Sequence, residues 1–257
     1  MVLESLINED LLKRNPFIAF LYSSIVSIIS VYISYIIFKE FVGIFVTFFI
    51  SVTLWPLLRK LILLNMKNSI YRFKDSFIER HYETIKSFLI IFFGTLFGLT
   101  SLFLFLPKEI VDEIFRQQID TIEKIRGNFI FGEGFMKIFL NNFGVLTLSF
   151  ILSFIYGGIL IVLVWNITIL AAAIGIMIHS YGIQGILIGF LTFMPHGIFE
   201  FIAYFLGTSA GILLSSYFIK KKFNSKYILI DSIRLYVFGV ILLLIGAFIE
   251  TLLLLNN

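Results

Sequence analysis

Glu200 is the only Asp, Glu, Lys or Arg residue between residues 138 and 219, a stretch rich in Leu, Ile, Phe and Gly. His196 precedes it by four residues, a spacing that places two side chains on one face of a helix. The two belong to the sequence Pro195-His196-Gly197-x-x-Glu200. A carboxyl group beside an imidazole can share a proton, bind a cation, or satisfy backbone groups left open near a proline.

This motif allows three interpretations, because an acid within a membrane persists only if it is protonated, hydrogen-bonded or in contact with water. The first is structural: His196 and Glu200 join a broken helix to its neighbours. The second is a proton- or ion-responsive polar path, to which the other polar residues of the stretch would contribute: Asn141, Asn142, Asn166 and Gln184. The third is a metal site with His179, which is the weakest because zinc sites bring several His and acidic ligands together.

Catalysis is not predicted. A hydrolytic site needs more than one acid and one histidine, and the sequence contains no HExxH, GxSxG or paired-acid motif. The absence of Cys excludes thiol nucleophiles, disulfides and thiolate metal ligands. We therefore predict no enzyme activity, no metal and no cofactor, and an intramembrane hydrolase using His196 and Glu200 is the minor alternative.

The composition shows which solvent surrounds these residues. Of 257 residues, 59% are hydrophobic and 14% are charged, and the mean hydropathy is +1.01. Soluble domains carry roughly 25% charged residues, so most of this surface is predicted to face lipid. The net charge of +4 lies in the connecting segments. It therefore bears on membrane orientation, and no nucleic-acid partner is predicted.

Apolar runs place the membrane spans. A bilayer core of about 30 Å needs about 20 apolar residues in a helix. Runs of this kind lie at 17–38, 41–58, 87–106, 138–219 and 237–255. The long run has room for three crossings, but Gly182 and Pro195 interrupt it. We predict an all-α transmembrane bundle of six or seven spans, with broken or re-entrant helices around 166–200.

The predicted organisation has four parts: an N-terminal segment at 1–16, a transmembrane hairpin at 17–58, a basic loop at 59–86, and a transmembrane domain at 87–255. Basic residues outnumber acids in 59–86 and 220–234, which the positive-inside rule assigns to the cytoplasm. Segment 107–137 is balanced and is expected outside. We thus expect a multi-pass protein of the cell membrane with its N-terminus in the cytoplasm and its C-terminus outside.

An amphipathic helix is predicted at 108–126, after Pro107 and before Gly127. Its apolar residues recur at helical spacing: Ile110, Val111, Ile114, Phe115, Ile122 and Ile125. Such a helix either lies on the outer membrane face against a partner or packs on the bundle, and both interpretations stay open.

Small residues indicate where helices approach each other. Glycines four residues apart occur at Gly94 and Gly98, Gly185 and Gly189, and Gly207 and Gly211. Because lipid does not drive helices together, small residues that permit close approach matter. We predict helix packing within the chain at these pairs, with a homo-oligomer interface as the alternative.

Over residues 85–255 the sequence resembles the stage II sporulation protein M family. The resemblance is carried by the Pro195-His196-Gly197-x-x-Glu200 motif and, more loosely, by an Asn-bearing helix start, a Gly-rich helix and a small-residue helix: Asn141 or Asn142, Gly157, Gly158, Asn166, Ala203, Gly207, Ala210 and Gly211. Ile167 follows Asn166 where the family pattern has Gly, so the turn expected there is in question. The hairpin 17–58 lies outside the resemblance.

The resemblance implies a subunit of a membrane complex, since the founding member acts with peptidoglycan-degrading enzymes during spore engulfment. We therefore expect a membrane scaffold that contacts the lipid bilayer and other membrane or envelope proteins through the 108–126 helix and the 59–86 segment. The alternative function is a channel or small transporter with a polar path near Glu200, built from discontinuous helices.

Overall fold

The computed structural model describes residues 15–71, 77–127, 134–153, 158–219 and 225–255. These residues form nine helices: α1 Pro16–Ile37, α2 Val42–Tyr71, α3 Phe77–Phe105, α4 Lys108–Ile114, α5 Arg116–Gly127, α6 Gly134–Leu152, α7 Gly158–Tyr181, α8 Gln184–Ile219 and α9 Ser225–Leu255. Parts of the predicted N-terminal segment and of both basic stretches, at 1–14, 72–76 and 220–224, lie outside the described residues.

The predicted all-α membrane bundle is confirmed. Seven of the described helices are long and apolar enough to cross a membrane, namely α1 to α3 and α6 to α9. Helices are expected in lipid because they satisfy their backbone hydrogen bonds internally. The membrane faces on which the two ends of the chain lie stay a prediction.

The first hairpin is packed into the bundle through small residues. Ser23, Ser24, Ser27 and Ser30 of α1 are buried, and the Ser24 hydroxyl donates to the carbonyl oxygen of Gly94 on α3 at 2.8 Å. A Cβ atom on Gly98 would lie 2.5 Å from the Ser24 carbonyl oxygen. Only glycine therefore permits this distance between the α1 and α3 backbones.

The segment at 59–86 is more regular than the predicted loop. α2 continues to Tyr71 and α3 already begins at Phe77. On α3, the Arg80 guanidinium binds the carboxylate of Asp231 on α9 through two hydrogen bonds, Nε to Oδ2 at 3.1 Å and Nη2 to Oδ1 at 2.9 Å. This ion pair places the starts of α3 and α9 at the same end of the bundle.

The amphipathic segment forms two short helices, α4 and α5, which meet at Phe115. Val111, Ile114, Phe115 and Ile122 are buried in the hydrophobic core. On α5, the Gln118 side chain is fully buried. Its amide nitrogen donates to the Gly43 carbonyl oxygen at 3.2 Å and to the Thr168 hydroxyl at 3.1 Å. The apolar face of this segment is thus packed on the bundle.

The broken or re-entrant helices expected around 166–200 are replaced by two long helices. The chain turns once, at Gly182, whose φ of +60° is a left-handed conformation that suits glycine after a helix end. Asn166 lies inside α7, and α8 continues through Pro195 without ending. Proline is tolerated in membrane helices because local adjustments satisfy the freed carbonyl group, and Pro195 lies at an exposed position of α8.

Candidate functional site

Glu200 and Asn142 meet inside the bundle between α6 and α8. The Asn142 amide nitrogen donates a short hydrogen bond to Glu200 Oε1. The Tyr204 hydroxyl, one turn further along α8, donates to Asn142 Oδ1 at 2.9 Å. Glu200 lies at the midpoint of the Gln184–Ser215 span. The motif carboxyl group is therefore held by an amide from another helix, deep in the membrane.

The local sequence explains why these side chains face each other. The buried positions of α6 are Ile138, Asn142, Leu146 and Ser149, a helical spacing that forms a single stripe. Glycines of α8 lie opposite this stripe: a Cβ atom on Gly207 would contact Leu146, and one on Gly211 would contact Phe150 and Ser153. The close approach of α6 and α8 brings Asn142 within reach of Glu200.

A second acid lies beside Glu200. Gly246 of α9 packs on α8, so that a Cβ atom there would lie 3.2 Å from Glu200 Cγ and 3.4 Å from the His196 carbonyl oxygen. Glu250 follows one turn later on α9, within electrostatic range of Glu200. We refer to Asn142, His196, Glu200, Tyr204 and Glu250 as the Glu200 cluster. Two ionised carboxylates repel each other strongly at low dielectric constant. A proton or a small cation bound at this pair would remove that repulsion.

Sequence reasoning missed the partnership of Glu200 with Glu250 and Tyr204. The available signal was the presence of one acid in each of two otherwise apolar spans. The sequence does not show which turn of α8 lies beside which turn of α9. This register depends on the packing of Gly246 against α8, which is visible only in the structure.

His196 does not bond to Glu200 in the described part of the chain, although it lies one turn before it on α8. The His196 Nδ1 atom is buried and accepts no hydrogen bond from the described residues. The expected shared proton or hydrogen bond between His196 and Glu200 is therefore replaced by the Asn142 contact. Gly197 has no atom within 4 Å of the position that a Cβ would take.

Of the other polar residues predicted for a path, Asn166 and Gln184 do not join the cluster, and Asn141 contacts only its edge. The Asn166 amide donates to the Val162 carbonyl oxygen of its own helix at 2.8 Å. Gln184 is exposed at the start of α8. Asn141 is exposed, and its amide nitrogen donates a long hydrogen bond of 3.4 Å to Asn142 Oδ1.

His179 is too distant to share a metal with His196 and Glu200. Gly189 of α8 packs on Ile174 of α7, and the two histidines lie on opposite sides of that level, about 18 Å apart along the helices at 1.5 Å per residue. His179 Nδ1 is instead 4.0 Å from Asp112 Oδ1 on α4. Among the described residues no group of three His, Cys, Asp or Glu side chains is arranged to hold a metal ion.

Two pockets in the described part of the bundle are lined by apolar side chains. One is enclosed by α2, α3, α7 and α8 around Phe92 and Leu163. The other is open to the outside and lies between Phe93 of α3 and Pro195 of α8. Neither includes Glu200, so these pockets do not form a polar path.

Comparison with known proteins identifies one family. The model of the family described as stage II sporulation protein M matches residues 87–253, which include the whole Glu200 cluster. Searches of curated proteins and of solved structures gave no match.

Proposed function

Because the chain belongs to the stage II sporulation protein M family, we propose that it acts as a non-enzymatic structural subunit of a membrane complex. The observation that supports this proposal is that polar side chains inside the bundle hydrogen-bond to one another across helices. Glu200, Asn142 and Tyr204 bond to one another across α6 and α8. The Thr147 and Tyr236 hydroxyls, 2.8 Å apart, join α6 to α9. Groups used in this way lock helices together and give the bundle a fixed surface.

The partner surface that best fits this role is the outward side of α4 and α5. Its apolar side is buried against the bundle. Its outward side carries exposed charges of both signs: the acids Glu109, Glu113, Asp120 and Glu123, which we term the acidic stripe, and the bases Lys108, Arg116 and Lys124. A partner that places basic residues against the acidic stripe and acidic residues against these bases would be complementary to this surface.

A gentle-detergent pull-down from the native membrane tests the proposal. The wild-type chain is expected to retain a partner in fixed proportion, and a Glu113→Lys, Asp120→Lys double variant is expected to lose it. Glu40→Lys is the matched control, since Glu40 is exposed in the turn between α1 and α2, close to Gly43 at the start of α2, to which Gln118 of α5 donates a hydrogen bond. A partner that survives the double variant would refute the acidic stripe, and isolation of the chain without any partner would refute the scaffold function.

A channel or small transporter is the second candidate, favoured by one observation. Glu250 and Glu200 form a pair of acids within the spans of α8 and α9, and such residues mark ion or proton pathways in many membrane proteins. Purified chain in liposomes would then conduct protons or a monovalent cation, and Glu200→Gln with Glu250→Gln would abolish the flux. Flux equal to that of empty liposomes would exclude this function.

We also propose that the face bearing the Arg80–Asp231 pair is cytoplasmic, since the neighbouring segments are rich in Lys and Arg. The chain has no cysteine, so a single introduced cysteine is the only thiol in the chain that a reagent can label. Glu40→Cys should react with a membrane-impermeant maleimide in intact cells, and Glu79→Cys only after permeabilisation. The reverse pattern would invert the orientation.

A further inference from the structure

The short helix α4 is held on the bundle mainly by apolar side chains. Val111 and Ile114 of α4 and the adjoining Phe115 are each at most 1% exposed. In the described part of the chain, a single polar contact joins a side chain of α4 to another helix: Asp112 Oδ1 lies 4.0 Å from His179 Nδ1 on α7. Because α4 has only seven residues, a change in this contact alters a substantial part of what holds it.

His179 has three neighbours that interact with a positive charge. The residue lies in the last turn of α7, where the carbonyl groups at a helix end attract cations. The centroid of its imidazole ring lies 5.5 Å from that of Phe103 on α3, within the range over which aromatic rings attract cations. The third neighbour is Asp112, since the buried His179 Nε2 atom has no hydrogen-bond partner among the described residues. The attraction between α4 and α7 at this point therefore depends on whether the imidazole carries a proton.

Few other charges lie near His179. Residues 42–58 of α2, 87–105 of α3, 158–181 of α7 and 184–199 of α8 contain no Asp, Glu, Lys or Arg. The charged residues with described side chains in the neighbouring segments are Lys39 and Glu40 in the turn before α2, Lys108, Glu109 and Glu113 on α4, and Arg116, Asp120, Glu123 and Lys124 on α5. None of these forms an ion pair with His179 or with Asp112 in the described part of the chain. Asp112 is thus the charged group that His179 meets most closely.

We propose that Asp112 and His179 form a pH-sensitive latch between α4 and α7, which we term the α4 latch. Imidazole side chains change charge between about pH 5 and 8, whereas aspartates lose their proton at about pH 4. At about pH 5 the two side chains therefore carry opposite charges, and at about pH 8 the imidazole is neutral and the attraction is lost. An acidic medium thus fastens α4 to the bundle, and a rise in pH loosens it.

The position of the α4 latch connects it to the proposed partner surface. The latch lies near the end of α3, around Phe103, whereas Arg80 lies near the start of that helix at the opposite end of the bundle. Glu109 and Glu113 of the acidic stripe belong to the same short helix as the latch. The pH at this end of the bundle therefore sets how firmly this half of the acidic stripe is held. This consequence rests on the proposed scaffold function, whereas the latch itself does not.

Hydrogen–deuterium exchange of the purified full chain, measured by mass spectrometry on the amides of α4, tests the latch. At about pH 5 the wild-type amides are expected to exchange about 2- to 5-fold more slowly than those of His179→Gln, the range for a partly exposed ion pair, since the Asp112 side chain is 45% exposed. At about pH 8 the two chains are expected to exchange at equal rates, because the imidazole is then neutral. Each comparison is made at one pH, so the pH dependence of exchange itself cancels.

Two substitutions on α4 complete the experiment. Asp112→Asn is expected to speed exchange in acid by the same factor as His179→Gln. Glu113→Gln is the matched control, because Glu113 is exposed at the next position of α4, and this variant is expected to exchange like the wild type. Equal exchange of the wild type and His179→Gln in acid, a difference that persists at about pH 8, or an effect of Glu113→Gln as large as that of Asp112→Asn would each overturn the latch. The experiment contains no partner, so its failure would leave the scaffold function standing, and a missing partner would leave the latch standing.

Discussion

Replacement of Asn142 by Leu is expected to be the most costly single change in the Glu200 cluster. It removes the donor to Glu200 Oε1 and the acceptor for the Tyr204 hydroxyl, which lies 2.9 Å away. Interhelical hydrogen bonds in membranes contribute about 0.6 to 2 kcal/mol each. Two lost bonds therefore predict a decrease of about 1 to 4 kcal/mol in the free energy of unfolding. Tyr204→Phe removes only the second bond, and about 0.6 to 2 kcal/mol is expected.

The assay is reversible unfolding by sodium dodecyl sulfate in mixed micelles, followed by tryptophan fluorescence or circular dichroism. Asn166→Leu is a matched control, because the Asn166 amide bonds only to the Val162 carbonyl oxygen of its own helix. Its free energy of unfolding should change by less than about 0.5 kcal/mol, as for substitutions that break no specific contact.

A double-mutant cycle completes the test. If Asn142 acts through Glu200, then Asn142→Leu should cost less in a Glu200→Leu background than in the wild type, because the buried carboxyl group that needs the amide is already absent. Equal costs in the two backgrounds would refute the lock between α6 and α8. The lock would also be refuted if Asn142→Leu lowered the free energy of unfolding by no more than Asn166→Leu does.

Five further variants test the helix packing, the Arg80–Asp231 ion pair and the course of α8 through Pro195. Gly98→Ala should lower the free energy of unfolding by about 1 to 3 kcal/mol through overpacking against α1, whereas Gly197→Ala, which meets no atom within 4 Å, should be near neutral in the same assay. Asp231→Ala should cost about 3 kcal/mol, because a mostly buried Arg80 loses its carboxylate. The Arg80→Leu, Asp231→Leu double variant should cost less than that, and a larger cost would refute this reasoning. Pro195→Ala should leave helix content by circular dichroism unchanged, whereas a rise in helicity would show that proline interrupts α8.

The spans were predictable because hydropathy and length act locally along one helix. The turn at Gly182 was predictable from the glycine itself, since a residue with a side chain is strained in a left-handed conformation. The break expected at Pro195 was wrong for a physical reason. The rule that proline ends a helix comes from water, where a freed carbonyl group is readily hydrated, while in lipid the helix persists because every alternative leaves more groups unpaired.

The candidate site was predictable only in its parts. Asn142, His196 and Glu200 were marked by being polar in an apolar stretch. Their arrangement depends on the register between helices that lie far apart in sequence, and glycines such as Gly246 set that register. The Arg80–Asp231 pair was missed for the same reason, because 151 residues separate its members.

The serine face of α1 has a consequence for how the protein is made. α1 leaves the ribosome before α3, whose glycines it will pack against, has been synthesised. Three of its hydroxyl groups do not have to wait for that partner: within the same helix, Ser23 donates to the Ala19 carbonyl oxygen at 2.9 Å, Ser24 to the Phe20 carbonyl oxygen at 2.9 Å and Ser27 to the Ser23 carbonyl oxygen at 2.7 Å. α1 can thus enter the bilayer with these three hydroxyl groups already hydrogen-bonded, and later present a surface of small side chains to α3. The order of synthesis and the order of assembly are thereby uncoupled.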